Sequence, residues 1–89
     1  MATIVMLQNV DGDNSPASEP VELGPDDTFG VEGISGDTVL VEYRLHPDHA
    51  WATLYTFTAD GVQVNVQSIE ARFRVSVYSA GDINAYVCK

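Results

Sequence analysis

Two short stretches of this sequence carry residue types at spacings that suggest metal chemistry. In DGDNS, oxygen-bearing side chains stand at Asp11, Asp13 and Ser15, and Glu22 falls at the twelfth place counted from Asp11. Hard cations such as calcium take clustered oxygens of this kind. Pro16, however, occupies the place where the helix–loop–helix motif needs glycine, and neither flank reads as a helix. The expectation is an acidic, solvated loop. His46 and His49 flank Pro47-Asp48. Two imidazoles and a carboxylate suit zinc, but no further ligand lies in that stretch, so a hairpin turn is expected. Both histidines keep the capacity to make a contact pH-sensitive. Cys88 is the only cysteine, and no motif links it to either histidine. Neither a nucleophile elbow nor a phosphate-cradling glycine loop is present. We therefore expect no catalytic residue, no cofactor and no metal site.

A different chemistry, recognition, is suggested by Glu70, Arg72 and Arg74, which share one side of an alternating run. Arg44 and Glu42 share one side of another. If these runs pair, cross-strand ion pairs of about 0.2–1 kcal/mol each result. The alternative is an arginine face that docks on an acidic partner, since arginine, tyrosine and tryptophan are enriched at interfaces. Tyr78 and Tyr86 are expected to extend that polar surface. Arg44, Arg72, Arg74, Tyr78 and Tyr86 thus form the candidate partner-binding set. Replacing Arg72 and Arg74 with serine is expected to leave folding nearly intact. Trp51 is expected at the edge of the core, with a stacking platform for a sugar as the other reading.

What must position these residues is a set of strands, because the dominant signal is period two. Candidate strands begin with residues 3–10 and 21–23, separated by a flexible acidic loop at 11–20. Phe29 and Val31 continue the pattern, with Ile34 as a weak extension. Val39, Val41, Tyr43 and Leu45 share a face. Trp51, Thr53, Tyr55 and Phe57 are expected to share another. Val62, Val64 and Val66 alternate with polar residues and are expected to face the core, as are Ile69, Ala71, Phe73, Val75 and Val77. Ile83, Ala85 and Val87 carry the apolar face back. No window has a helical stripe. Seven or eight short strands with turns between them imply an all-β fold: one antiparallel β-sandwich, immunoglobulin-like or jelly-roll. A small closed barrel is the alternative.

The 89 residues make one domain, 1–89. A chain of this size buries only about 60–65% of its unfolded surface, which leaves a marginal core and makes partners a cheap source of stability. Thirteen acids against four bases give a charge of −9. Such a balance disfavours nucleic acid, whose phosphates need a basic patch, and anionic membranes. The first ten residues lack the basic start of a signal peptide, and no apolar run approaches the roughly twenty residues that span a bilayer. Synthesis and folding in a cytoplasm are expected, and a lone thiol fits that compartment. Small size favours a homo-oligomer and the charge opposes one.

The run TFGVEGISGDTVLVEY, followed by YTFTADGVQVNVQSIEARFRVSVYSAGDINAYV, resembles small β-sandwich virion proteins of tailed bacteriophages. The matching segments are Thr28-Phe29-Gly30 and residues 38–42, 53–58, 58–63 and 71–77. Together the two runs hold 49 of the 89 residues. The resemblance implies a structural role without chemistry: a capsid decoration or cement protein on the outer surface of the major capsid protein lattice, or bound to another virion protein. It implies a virion location after synthesis in a host cytoplasm. A tail-associated carbohydrate- or receptor-binding module is the alternative.

Overall fold

Alternation of apolar and polar residues becomes eight strands in the computed structural model, which describes residues 3–10 and 17–89. They are β1 (Thr3–Val10), β2 (Val21–Leu23), β3 (Thr28–Glu32), β4 (Thr38–Arg44), β5 (Ala52–Phe57), β6 (Gly61–Val64), β7 (Ile69–Val77) and β8 (Ile83–Cys88). Two four-stranded antiparallel sheets result, with orders β1-β8-β3-β6 and β2-β7-β4-β5. Within the sheets β1 pairs with β8, β2 with β7, β3 with β6 and β4 with β5. The first half of the chain is thus laid antiparallel along the second, as one long ribbon. Rolling that ribbon brings β8 beside β3 and β7 beside β4. This is the jelly-roll order of an eight-stranded sandwich. It decides between the two sandwich topologies, and the sheets stay open at their edges.

The core lies between the sheets. Phe29 of the first sheet meets Phe57 and Phe73 of the second edge-to-face, at centroid distances of 6.2 and 6.4 Å. Edge-to-face pairs suit the ring quadrupoles. Phe73, Val39, Val41, Ile83 and Val87 are fully buried around them. The inward faces expected of β7 and β8 hold from Ile69 to Val75 and from Ile83 to Val87.

Four expectations need correction. Val62, Val64 and Val66 are 69%, 58% and 82% exposed, so the valine side of β6 faces out and Asn65 faces in. Buried Asn65 donates from Nδ2 to the carbonyls of Gly24 (2.8 Å) and Gln67. Its backbone N–H reaches Asp27 O at 2.7 Å, and its carbonyl accepts from Asp26 N at 2.9 Å. Buried carbonyls need donors, and this knot fixes the register of the edge strand. Leu45, just past the end of β4, is also exposed, and Val77 is turned outward by a register shift that sets Val39 against Val75 but Thr38 against Val77. Trp51 and Thr53 do not share a face with Tyr55 and Phe57. A register shift in the β4–β5 pairing sets Val41 against Tyr55 but Glu42 against Thr53, and the extra residue, Leu54, packs on the core. One added residue inverts the alternation beyond it. Finally, the loop expected at 11–20 is pinned in its second half, where Ser18 exchanges hydrogen bonds with Phe73. Residues 11–16 lie outside the described residues.

A second knot ties the end of the sandwich opposite Asn65. Asp37, 2% exposed, accepts hydrogen bonds from the backbone N–H groups of Ser35 (2.9 Å), Ser79 (2.7 Å) and Gly81 (2.9 Å). Burial would raise its carboxyl, but these N–H groups outweigh that and hold it below the usual value. The β3–β4 and β7–β8 connections are thereby joined. Gly81 is required there, since a Cβ would stand 2.2 Å from Asp37 Oδ1.

Candidate functional site

The outer face of the β2-β7-β4-β5 sheet carries the densest group of charged side chains. Register builds it: Glu42 stands opposite Arg72, and Arg44 opposite Glu70. Arg72 Nε donates to Glu42 Oε1 at 3.0 Å, and Arg74 reaches both oxygens of the same carboxylate at 3.2 and 3.4 Å. Arg44 Nε donates to Glu70, and Arg44 Nη1 donates to the carbonyl of Pro47 at 3.0 Å. The β5 shift turns Trp51 onto this face. The guanidinium carbons of Arg44 and Arg72 each lie 4.4 Å from the centre of its ring, within range of cation–π attraction.

Burial and charge are balanced within the group. Glu42 is only 7% exposed. That burial would raise its carboxyl, but the hydrogen bonds and charges of Arg74 and Arg72 prevail and lower it. Glu22 of β2 stands opposite Glu70 on the same side of the sheet, so three arginines meet three glutamates and the face is formally neutral, while the rest of the chain holds one base against ten acids. The face is a charge-balanced patch in an acidic chain, with its arginines held in place. Arg74 is the most exposed of the three arginines.

Of the five residues expected to form one surface, the structure brings together Arg44, Arg72 and Arg74. The cross-strand ion pairs expected between their strands are present. Tyr86 lies on β8, in the other sheet, and donates to Glu32 Oε1 at 2.9 Å. That bond pushes its phenol up. Tyr78 packs against the core, and among the described residues its buried hydroxyl has no hydrogen-bond partner. Both tyrosines leave the set: Tyr86 because alternation gives the side of a strand and not which sheet the strand joins, and Tyr78 because a register shift at the end of β7, with Val39 opposite Val75 but Thr38 opposite Val77, turns it inward. Trp51 is the member that sequence reasoning placed elsewhere. Its signal was the bulge, which period two cannot reveal.

The metal expectations divide. Asp11, Asp13 and Ser15 lie outside the described residues, and Glu22 is exposed on β2. The stretch 46–49 is a turn, with His49 N donating to His46 O at 2.9 Å. Its imidazoles sit 5.6 Å apart, both exposed. Among the described residues no three histidine, cysteine or acidic side chains are gathered as metal ligands. Among the described residues no helix is long and apolar enough to cross a membrane.

Compared with known proteins, the chain matches no family model, no curated protein and no solved structure.

Proposed function

We propose that this chain is a non-enzymatic virion subunit, a decoration or cement protein that binds the outer surface of a bacteriophage capsid lattice. The carrying observation is the arginine–tryptophan face on a jelly roll. Jelly rolls recur in viral capsid and lectin domains, an analogy of fold that leaves function to the site. The site supports binding. Arginine and tryptophan are the residues most often found at the energetic centre of interfaces. Here their side chains are already held by Glu42 and Glu70, so docking orders little that is free beforehand. The most exposed arginine, Arg74, offers a counter-charge to an acidic group on the partner. The resemblance of residues 28–43 and 55–87 to small phage virion proteins points the same way. Repetition on a lattice would let a modest contact suffice.

The carbohydrate-binding alternative rested on Trp51, and its ring already has two guanidiniums as neighbours. Purified virions from the source phage, inventoried by quantitative mass spectrometry, should contain this chain in many copies per particle. Absence from particles removes the proposal. Arg74→Gln, which leaves Glu42 its bond to Arg72, should fold normally and weaken rebinding to stripped particles at least about tenfold. Unchanged rebinding would move the docking face elsewhere. The double serine replacement is unsuitable as a test, since it would leave buried Glu42 without a counter-charge.

A further inference from the structure

We propose that the free edge of β6 pairs antiparallel with β6 of a second copy of this chain, about a two-fold axis at Val64. Among the described residues β6 ends its sheet and pairs only with β3. Natural edges are usually guarded by charge, proline or a bulge. From Gly61 to Ile69 there is no charged residue and no proline, and the β3–β6 register runs without a shift. Asn65 turns both its N–H and its C=O toward the β2–β3 turn. Successive peptides of a strand point to opposite sides, so Val62 and Val64 direct theirs to the open edge, and continuing the same alternation past the end of β6 would aim Val66 there too.

A second copy fits this edge by symmetry and by charge. An axis at Val64 sets Val64 against its own copy, and Val62 against Val66 of the other chain. All three valines then lie in facing pairs, and each main-chain pair is free to exchange hydrogen bonds. The nearest acid on the strand, Asp60, stands about 13 Å from the axis at roughly 3.3 Å per residue, beyond the screening length of about 8 Å in physiological salt. The −9 charge therefore sets no like charges face to face at this seam. Pairing also continues an uncharged surface. The row Thr3–Cys88–Thr28–Val64 has no charged member, and the axis joins it to the same row of the second copy. A five-residue seam is small beside the 1,200–2,000 Å² or so of a stable complex, so the dimer forms at tens of micromolar and above, approximately.

Sedimentation equilibrium of the intact chain, from about 1 μM to 1 mM, tests this. The expected result is a reversible monomer–dimer equilibrium. Amide exchange at Val62, Val64 and Val66 should slow as concentration rises. Val64→Lys puts two ammonium groups opposite each other at the axis and should weaken the dimer at least about tenfold. Val66→Lys serves as the second variant if Val64→Lys melts below wild type at low concentration. Val77→Lys, exposed on β7, should leave the equilibrium unchanged. A wild-type monomer at every concentration overturns the proposal, and so does a dimer indifferent to both β6 variants. A monomer whose particle binding is lost with Val64→Lys also overturns it and assigns the edge to a partner's strand. None of these outcomes depends on the arginine face, which Arg74→Gln tests separately.

Discussion

The two outer faces of the sandwich are built on opposite principles. On the β2-β7-β4-β5 sheet, five charged side chains and Trp51 are bound to one another, so the surface is charged yet internally satisfied. On the β1-β8-β3-β6 sheet, the rows Thr3–Cys88–Thr28–Val64 and Val5–Tyr86–Gly30–Val62 contain no charge at all. Gly30 lowers the second row, because a Cβ there would stand 2.8 Å from Gly61 O and 3.0 Å from Val62 Cγ2. The first face fixes a pattern of charge. The second leaves apolar surface and an open edge in water. The contrast teaches that charge balance says little about where a protein meets a partner: both faces belong to one chain of −9.

The largest expected effect erases the contrast. Phe73 is fully buried and supports β7 from beneath, and its ring packs on Phe29 of the other sheet. Phe73→Ala should cost about 3–5 kcal/mol, enough to unfold a marginal domain and to lose both faces together. Melting close to wild type, followed by circular dichroism, would show that the two faces do not share one interior.

Next in size is Glu42→Gln, which leaves Arg72 and Arg74 without their carboxylate. A loss of about 1–3 kcal/mol is expected, read by denaturant unfolding at pH 7. The pH dependence carries its own sign. Glu42 and Asp37 are both held below their ordinary values, near 4 for free carboxyls. Their stabilisation is complete above those ordinary values and lost as pH falls through the lowered folded ones. Wild type should therefore keep its stability from about pH 7 to pH 5 and lose it below about pH 4. The gap to Glu42→Gln should narrow over the same acid range. A gap that stays constant into strong acid would mean that the ion pairs contribute nothing.

The smallest effects compare the faces directly. Trp51→Ala removes two cation–π contacts of about 0.5–1 kcal/mol each at exposed sites. Val62→Thr, on the uncharged face, should stay within about 0.5 kcal/mol. Equal melting shifts for the pair, measured by calorimetry, would abolish the distinction between an ordered face and an open one.

Much of this was legible in the sequence. Seven or eight strands follow from alternation, and residues 21–23, 69–77 and 83–87 were placed within a residue or two. The link between Glu42, Glu70 and the arginines was readable as well, conditional on their strands pairing. What failed has one cause in each case. Val62, Val64 and Val66 look like a buried face because period two marks a side without saying which side is covered; Asn65 settles that through carbonyls some forty residues away in the chain. Trp51 and Tyr78 were misplaced by register shifts, in β5 and at the end of β7, and Tyr86 by membership of a sheet.

By itself, the sequence determined that the chain makes short strands with one apolar side, and that its charge is acidic. Those are local properties, set by neighbouring residues and by composition. Only the tertiary structure decided the jelly-roll order, the gathering of Arg44, Arg72 and Arg74 around Trp51, and the exposure of the β6 edge. Each depends on which distant strands become neighbours. That choice is made by the filling of one shared interior and by the pairing of buried polar groups such as Asp37 and Asn65, neither of which any single stretch of chain contains.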